Sequence, residues 1–248
     1  MINTEGIVLK QVKTGDDRRI ITLFTEKLGK VSAASGTTNY FKSKSLGVLH
    51  PFTYGKYTLY KGRQIYNINY GNIIKNFYKI GESIEKYAYS SYVLEFTEKI
   101  LPENQPDPYL FELLIDILEI IENRKKKYIP IIRAYEIKTL RHLGIMPQLN
   151  ECVRCGKNET GINFSIEEGG LLCSECCCNN TLIFNLNHST IEVIRYIINN
   201  PIRKLEKLSI DDKVLDLLNM LMKRYLEYHL SLNDMKSMNF IDICSIND

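Results

Sequence analysis

No stretch of this 248-residue chain approaches the ~20 apolar residues that a membrane-spanning helix requires. The amino terminus, Met1-Ile-Asn-Thr-Glu-Gly6, has no basic segment followed by an apolar run, the make-up of a secretory signal. Both absences point to a cytoplasmic protein. Catalytic signatures are missing as well. There is no Walker-type phosphate loop, no G-x-G-x-x-G, no G-x-S-x-G and no H-E-x-x-H. Histidine is scarce, and none of His50, His142, His188 and His229 is paired at metal-ligand spacing. The paired acids Glu167-Glu168 and Asp211-Asp212 read as loop and helix-start charges. The expectation is a protein that is not an enzyme. Internal repeats and low-complexity tracts are absent too.

Cysteine, by contrast, is present in a telling pattern. Seven cysteines are an odd number, which argues against a complete disulfide framework. In the cytoplasm, paired cysteines are metal ligands more often than disulfides. Four of them read Cys152-Val-Arg-Cys155, then 17 residues, then Cys173-Ser-Glu-Cys176. Each pair wraps one side of a tetrahedral ion, and the gap is long enough for a hairpin to return the second pair to the first. Four thiolates leave no position open for water, so the expected ion is one structural Zn²⁺. Gly156 after the first pair and Gly169-Gly170 before the second permit the turns. Cys177 and Cys178 follow directly and stand as alternatives to Cys176, which the two-residue spacing favours. A redox dithiol needs one such pair only, and no thioredoxin-like context surrounds either.

Charge is divided unevenly. Residues 1–80 hold 13 Lys/Arg against 4 Asp/Glu, a net of +9, and residues 81–248 carry a net of −6. A basic first third suits a polyanionic partner; the plainer reading is a solvated basic surface.

The first ~75 residues read as five short strands: 6–12, 19–25, 30–35, 54–60 and 64–70. Lys61-Gly62-Arg63 forms a hairpin turn, and alternation places Tyr66, Ile68 and Tyr70 on one face of the last strand. Five short strands suit a closed barrel of the oligonucleotide-binding (OB) type. Helical spacing follows over 80–100, 108–122, 131–143, 190–199 and 210–230, with Gly144 at a C-cap and Ser209 with Asp212 as an N-cap-like pair. The expected fold is α+β and multidomain. An OB-type barrel spans 1–78, an α-helical domain spans 79–150 and 181–248, and a four-cysteine zinc module at 151–180 is inserted in it.

Basic side chains recur at the predicted barrel loops: Lys13, Arg18, Arg19, Lys42, Lys44, Lys61 and Arg63. Asn39-Tyr-Phe-Lys-Ser-Lys-Ser45 interleaves aromatics with lysines, the pair of chemistries that nucleic acid requires. Tyr57, Tyr60, Tyr66 and Tyr70 read as barrel core or strand packing rather than as stacking platforms.

The chain resembles the RecO family of bacterial recombination-repair mediators. The resemblance rests on Gly6-Ile-Val-Leu-Lys10, Asp17 to Lys30, Gly47-Val-Leu-His-Pro-Phe52 and Leu59-Tyr-Lys-Gly-Arg63. Its most specific stretch is Leu143-Gly144-x-x-Pro147-x-Leu149-x-x-Cys152-x-x-Cys155-Gly156, with Phe164-Ser165 and Gly169-Gly-Leu-Leu-Cys173. The resemblance implies an OB fold, a helical domain and the zinc module. It further implies binding of single- and double-stranded DNA, strand annealing, and partnership with RecR. Together the two would help load RecA onto DNA coated by single-strand-binding protein (SSB). It also implies a helical-domain site for the SSB carboxy-terminal tail, for which Arg133, Lys138 and Arg141 are the candidate cations. On this reading Arg18, Arg19, Lys42, Lys44 and Arg63 meet DNA phosphates, and Cys152, Cys155, Cys173 and Cys176 hold zinc. The rival is a zinc-ribbon transcription regulator, which would carry its basic residues on the ribbon. The segment 152–178 instead sets Arg154 and Lys157 against Glu159, Glu167, Glu168 and Glu175.

Overall fold

The structure is a computed structural model and describes residues 1–14, 18–35, 46–158, 162–177, 183–233 and 235–238. The chain divides into two compact units. One is Met1–Arg124 with the chain from Met235; the other is Lys125–Asp234.

In the first unit, β1 (Ile2–Thr14), β2 (Arg18–Thr25), β3 (Gly29–Ser35), β4 (Thr53–Lys61) and β5 (Tyr66–Asn76) close a barrel in the order β1-β2-β3-β5-β4. All pairings are antiparallel except β3 with β5. Alternation along β3 turns Val31 and Ala33 inward, where they meet Val8, Ile21, Leu23, Tyr57, Leu59 and Ile68. Tyr57 is 1% exposed, and its hydroxyl donates to the Val48 carbonyl at 2.7 Å, which satisfies the one polar atom that this ring brings into the core.

The outer face of β5 departs from simple alternation. Leu59 pairs with Ile68, but Thr58 pairs with Tyr70, so Asn69 is an extra residue in the ladder. A bulge of this kind inverts the side-chain faces beyond it. Ile68 stays in the core, whereas Tyr70 is 46% exposed. The expectation that Tyr66, Ile68 and Tyr70 share one face is corrected accordingly.

Two helices complete the first unit: α1 (Ile84–Ile100) and α2 (Pro108–Asn123). Ser83 caps α1 by accepting from the Lys86 N–H, and Asp107 caps α2 with Pro108 in its first turn. Phe111 of α2 meets Phe24 and Tyr54 of the barrel edge-on, with ring centroids 5.4 and 6.1 Å away.

The second unit holds α3 (Ile129–His142), α4 (His188–Asn199) and α5 (Asp212–Leu230), which pack on one another. Gly144, at φ +74°, ends α3, with the Ile145 N–H reaching back to the Leu140 carbonyl at 3.0 Å. Asp211, not the expected pair Ser209 and Asp212, caps α5 by accepting from the Lys213 N–H. Between α3 and α4 in sequence lies a small antiparallel sheet of β6 (Asn163–Ser165), β7 (Gly170–Leu172) and β8 (Ile183–Asn185), with β6 central.

Candidate functional site

The hairpin of β6 and β7 pairs Phe164 with Leu171 and Ser165 with Gly170, and so carries Cys173 back toward Cys152. All four sulfur atoms of Cys152, Cys155, Cys173 and Cys176 lie within 4.8 Å of one another. Each pair sits on a tight turn. The Gly156 N–H donates to the Cys152 carbonyl at 2.8 Å, and the Cys176 N–H to the Cys173 carbonyl at 3.1 Å. Gly156 has φ +72°, a left-handed conformation that a side chain would strain.

The thiols do not behave alike. Burial opposes ionisation of Cys152, yet hydrogen bonds from backbone groups of Cys173, Cys155 and Arg154 bring its pKa down to about 6. Cys176 is pushed up to about 12, first by its hydrogen bond with the Cys173 sulfur and then by burial. Cys152 is thus the readier thiolate, while Cys155 and Cys176 hold their protons more tightly. A divalent cation removes that resistance, since it ionises every thiol that coordinates it. The donor set therefore fits one soft-ligand metal ion, with no position left over. Cys177 is outside the set, its sulfur donating to the Ser174 carbonyl at 3.2 Å. Cys178 lies outside the described residues.

Charged side chains brace the two turns. Arg154 donates to both oxygens of Glu168 at 2.7–2.9 Å and to the Cys176 carbonyl at 2.9 Å. Lys157 meets Glu175 at 2.6 Å. The module's two cations are thus spent inside it. Sequence reading counted these charges but did not pair them; their alternation of sign around the two cysteine pairs was the available signal.

The barrel sorts its cations into two groups. Lys10 pairs with Glu98, Lys30 with Glu103, and Lys75 with Glu119 and Glu122. Lys13, Arg19, Lys61 and Arg63 have no carboxylate within ion-pair distance among the described residues. The strand register sets this second group along one row across the barrel strands. Lys13 is opposite Arg19, Arg19 opposite Ser35, Ser35 opposite Ile68, and Tyr66 opposite Lys61. Arg63 is exposed in the turn beyond. Lys42 and Lys44 follow β3 in the sequence. Those two lysines and the side chain of Arg18 lie outside the described residues.

In the second unit, Arg133 is buried, bonded to Glu136 and Asn219. Lys138 and Arg141 both donate to the carbonyl of Ile198, near the end of α4. Burial lowers the pKa of Lys138, and the charge of Arg141 lowers it further.

Two family models cover nearly all of this. Recombination protein O N terminal matches residues 1–77, and Recombination protein O C terminal matches residues 81–239. The chain belongs to the RecO family. The DNA repair protein RecO of Alkaliphilus metalliredigens is 31% identical over 231 residues, 93% of this chain and 94% of its own. That of Thermoanaerobacter sp. is 30% identical over 242 residues, 98% of this chain and 97% of its own. That of Acetivibrio thermocellus is 29% identical over 233 residues, 94% and 93% respectively. The RecO match spans the barrel and the cysteine module alike. Among the described residues no helix is long and apolar enough to cross a membrane.

Proposed function

We propose that this RecO-family chain is a non-enzymatic recombination mediator in DNA repair. It binds single- and double-stranded DNA, anneals complementary strands and, with RecR, helps load RecA onto SSB-coated single strands. The observation that carries this reading is the pair of family matches over 1–77 and 81–239. The row of barrel cations that have no carboxylate partner among the described residues supports it, because the turns between first and second and between fourth and fifth strands are where OB barrels meet oligonucleotides. Arg18, Arg19, Lys42, Lys44 and Arg63 neutralise phosphates without reading bases, so binding is sequence-independent and weakens steeply with salt.

The metal is one structural zinc ion held by Cys152, Cys155, Cys173 and Cys176, a choice supported by the all-thiolate, closed donor set. The helical unit receives the SSB tail, with the exposed Arg141 as its cation and the buried Arg133 and Lys138 holding the helix that carries it. A cytoplasmic, nucleoid-associated location goes with this role. A zinc-ribbon regulator gains less support, since Arg154 and Lys157 are already matched by Glu168 and Glu175. The test is fluorescence anisotropy with labelled single strands and duplexes across a salt series. The parent chain binds both, and Lys42→Glu/Lys44→Glu weakens both. A variant that binds both as tightly as the parent at moderate salt contradicts the assignment of phosphate contacts.

A further inference from the structure

The bulge at Asn69 turns a tyrosine onto an outer barrel surface that is already shaped. Two rows of side chains cross β1, β4 and β5 there: Asn3, Thr58 and Tyr70, then Glu5, Lys56 and Asn72. They floor a recess of about 450 Å³, inside the roughly 300–1,000 Å³ range of small-ligand sites. The turn at Glu26 and Lys27 forms a wall, stapled to β1 by three bonds. The Glu26 N–H donates to the Glu5 carbonyl at 3.0 Å, the Lys27 N–H to Thr4 Oγ1 at 3.2 Å, and Lys27 Nζ to the Asn3 carbonyl at 2.7 Å. The recess is therefore pre-formed.

Its chemistry differs from that of the basic row. Thr58 Oγ1 donates to Asn3 Oδ1 at 2.8 Å, which leaves the Asn3 amino group as a donor. Asn72 is exposed and makes no hydrogen bond through its amide among the described residues. Glu5 and Glu26 supply acceptors, and Tyr70 supplies a ring face. Lys27 and Lys56 also line the recess and match Glu5 and Glu26 in number, with Lys56 3.7 Å from Glu5, so no net positive charge is left to draw a phosphate. A flat ring beside amide and carboxylate groups instead suits a neutral heterocycle that carries its own donors and acceptors. Thr58 lies three residues before Lys61 on β4, about 10 Å along the strand, so a strand held at Lys61 reaches the recess.

We infer that the recess takes one unstacked nucleobase of bound single-stranded DNA. Tyr70 is its stacking platform, and Asn3 and Asn72 meet its edge. The site rests on the DNA-binding reading above and adds to it a means of preferring single strands over duplex, whose bases are stacked away.

The test compares the full chain with Tyr70→Ala, Tyr70→Phe and Asn72→Ala, using anisotropy on a labelled single strand and on its duplex over a salt series. Tyr70→Ala weakens single-strand binding roughly 5- to 150-fold, the range of one base–aromatic stack. Duplex affinity and the salt slope stay at the parent's values, because no phosphate contact is lost, and Tyr70→Phe retains binding. Asn72→Ala, at an exposed position, repeats the single-strand loss on a smaller scale without a core change. The inference is overturned if Tyr70→Ala and Asn72→Ala bind single strands like the parent, or if Asn72→Ala loses single strand and duplex equally. If the parent binds no DNA at all, the proposed function fails instead, which keeps the two failures distinguishable.

Discussion

Arg133 Nη1 lies 2.7 Å from both carboxylate oxygens of Glu136, one helical turn away on α3. Glu136 is fully buried, and Arg133 also donates through Nε to Asn219 Oδ1 on α5 at 2.8 Å. A buried pair of this kind adds little net stability, but removing one member strands the other in a low-dielectric interior. Glu136→Ala therefore costs about 3–5 kcal/mol in urea denaturation. Arg133→Ala destabilises by a comparable route, so loss of partner binding in that variant reports folding as well as contact. Arg141→Ala is the cleaner probe of a tail-binding site, because Arg141 is exposed, whereas Lys138 is buried like Arg133.

The cysteine module gives a metal-removal prediction. Elemental analysis of the purified chain finds about one zinc per molecule. Cys152→Ser/Cys155→Ser finds none, and hydrogen exchange in 152–177 rises, while the barrel amides keep their protection. Zinc content unchanged in that variant, or parent-like protection without metal, contradicts a structural four-thiolate site.

A third prediction concerns the chain's return to the first unit. The Glu95 carboxylate accepts from the Lys236 N–H at 3.0 Å, the Ser237 N–H at 2.9 Å and the Ser237 hydroxyl at 2.6 Å. Burial opposes its ionisation, but the bonds from Ser237 and Lys236, helped by the charge of Lys99, hold its pKa below the ordinary value. A carboxylate favoured in the folded state stabilises it above the unfolded-state pKa of about 4.3, and that contribution fades as pH falls through the lower folded-state value. Glu95→Gln therefore lowers stability by about 1 kcal/mol at neutral pH, allowing for partial exposure. The difference from the parent shrinks below about pH 4. Urea titrations at neutral and acid pH measure it, and a difference that grows toward acid has the wrong sign.

The fourth prediction separates the two groups of barrel cations. Arg63→Ala lowers the slope of log affinity against log salt by about 1, the signature of one lost phosphate contact. Lys75→Ala leaves that slope unchanged, because its charge already faces Glu119 and Glu122. Equal slopes for the two variants contradict the division.

Much of this architecture is local and was legible for that reason. The cysteine spacing needs only two turns and a hairpin. The strands and helices follow apolar periodicity, and Gly144 marks the end of α3 by a conformation that glycine adopts freely. What escaped the sequence depends on one added residue or on distant partners. Alternation assigns Tyr70 to the core face, and only the register with Thr58 and Leu59 reveals Asn69 as a bulge. Ser209 and Asp212 resemble a cap, yet the residue whose carboxylate reaches the Lys213 N–H is Asp211. A charge count places Lys10, Lys30 and Lys75 with Lys13, Lys61 and Arg63. The fold separates them, because Glu98, Glu119 and Glu122 on two helices, and Glu103 between those helices, come from far along the chain.

The most direct measurement is an annealing assay with complementary single strands precoated by SSB. The mediator reading requires that adding this chain accelerate duplex formation, and that the acceleration fall as salt rises or when Lys42→Glu/Lys44→Glu replaces the parent. Annealing no faster than with SSB alone would contradict it.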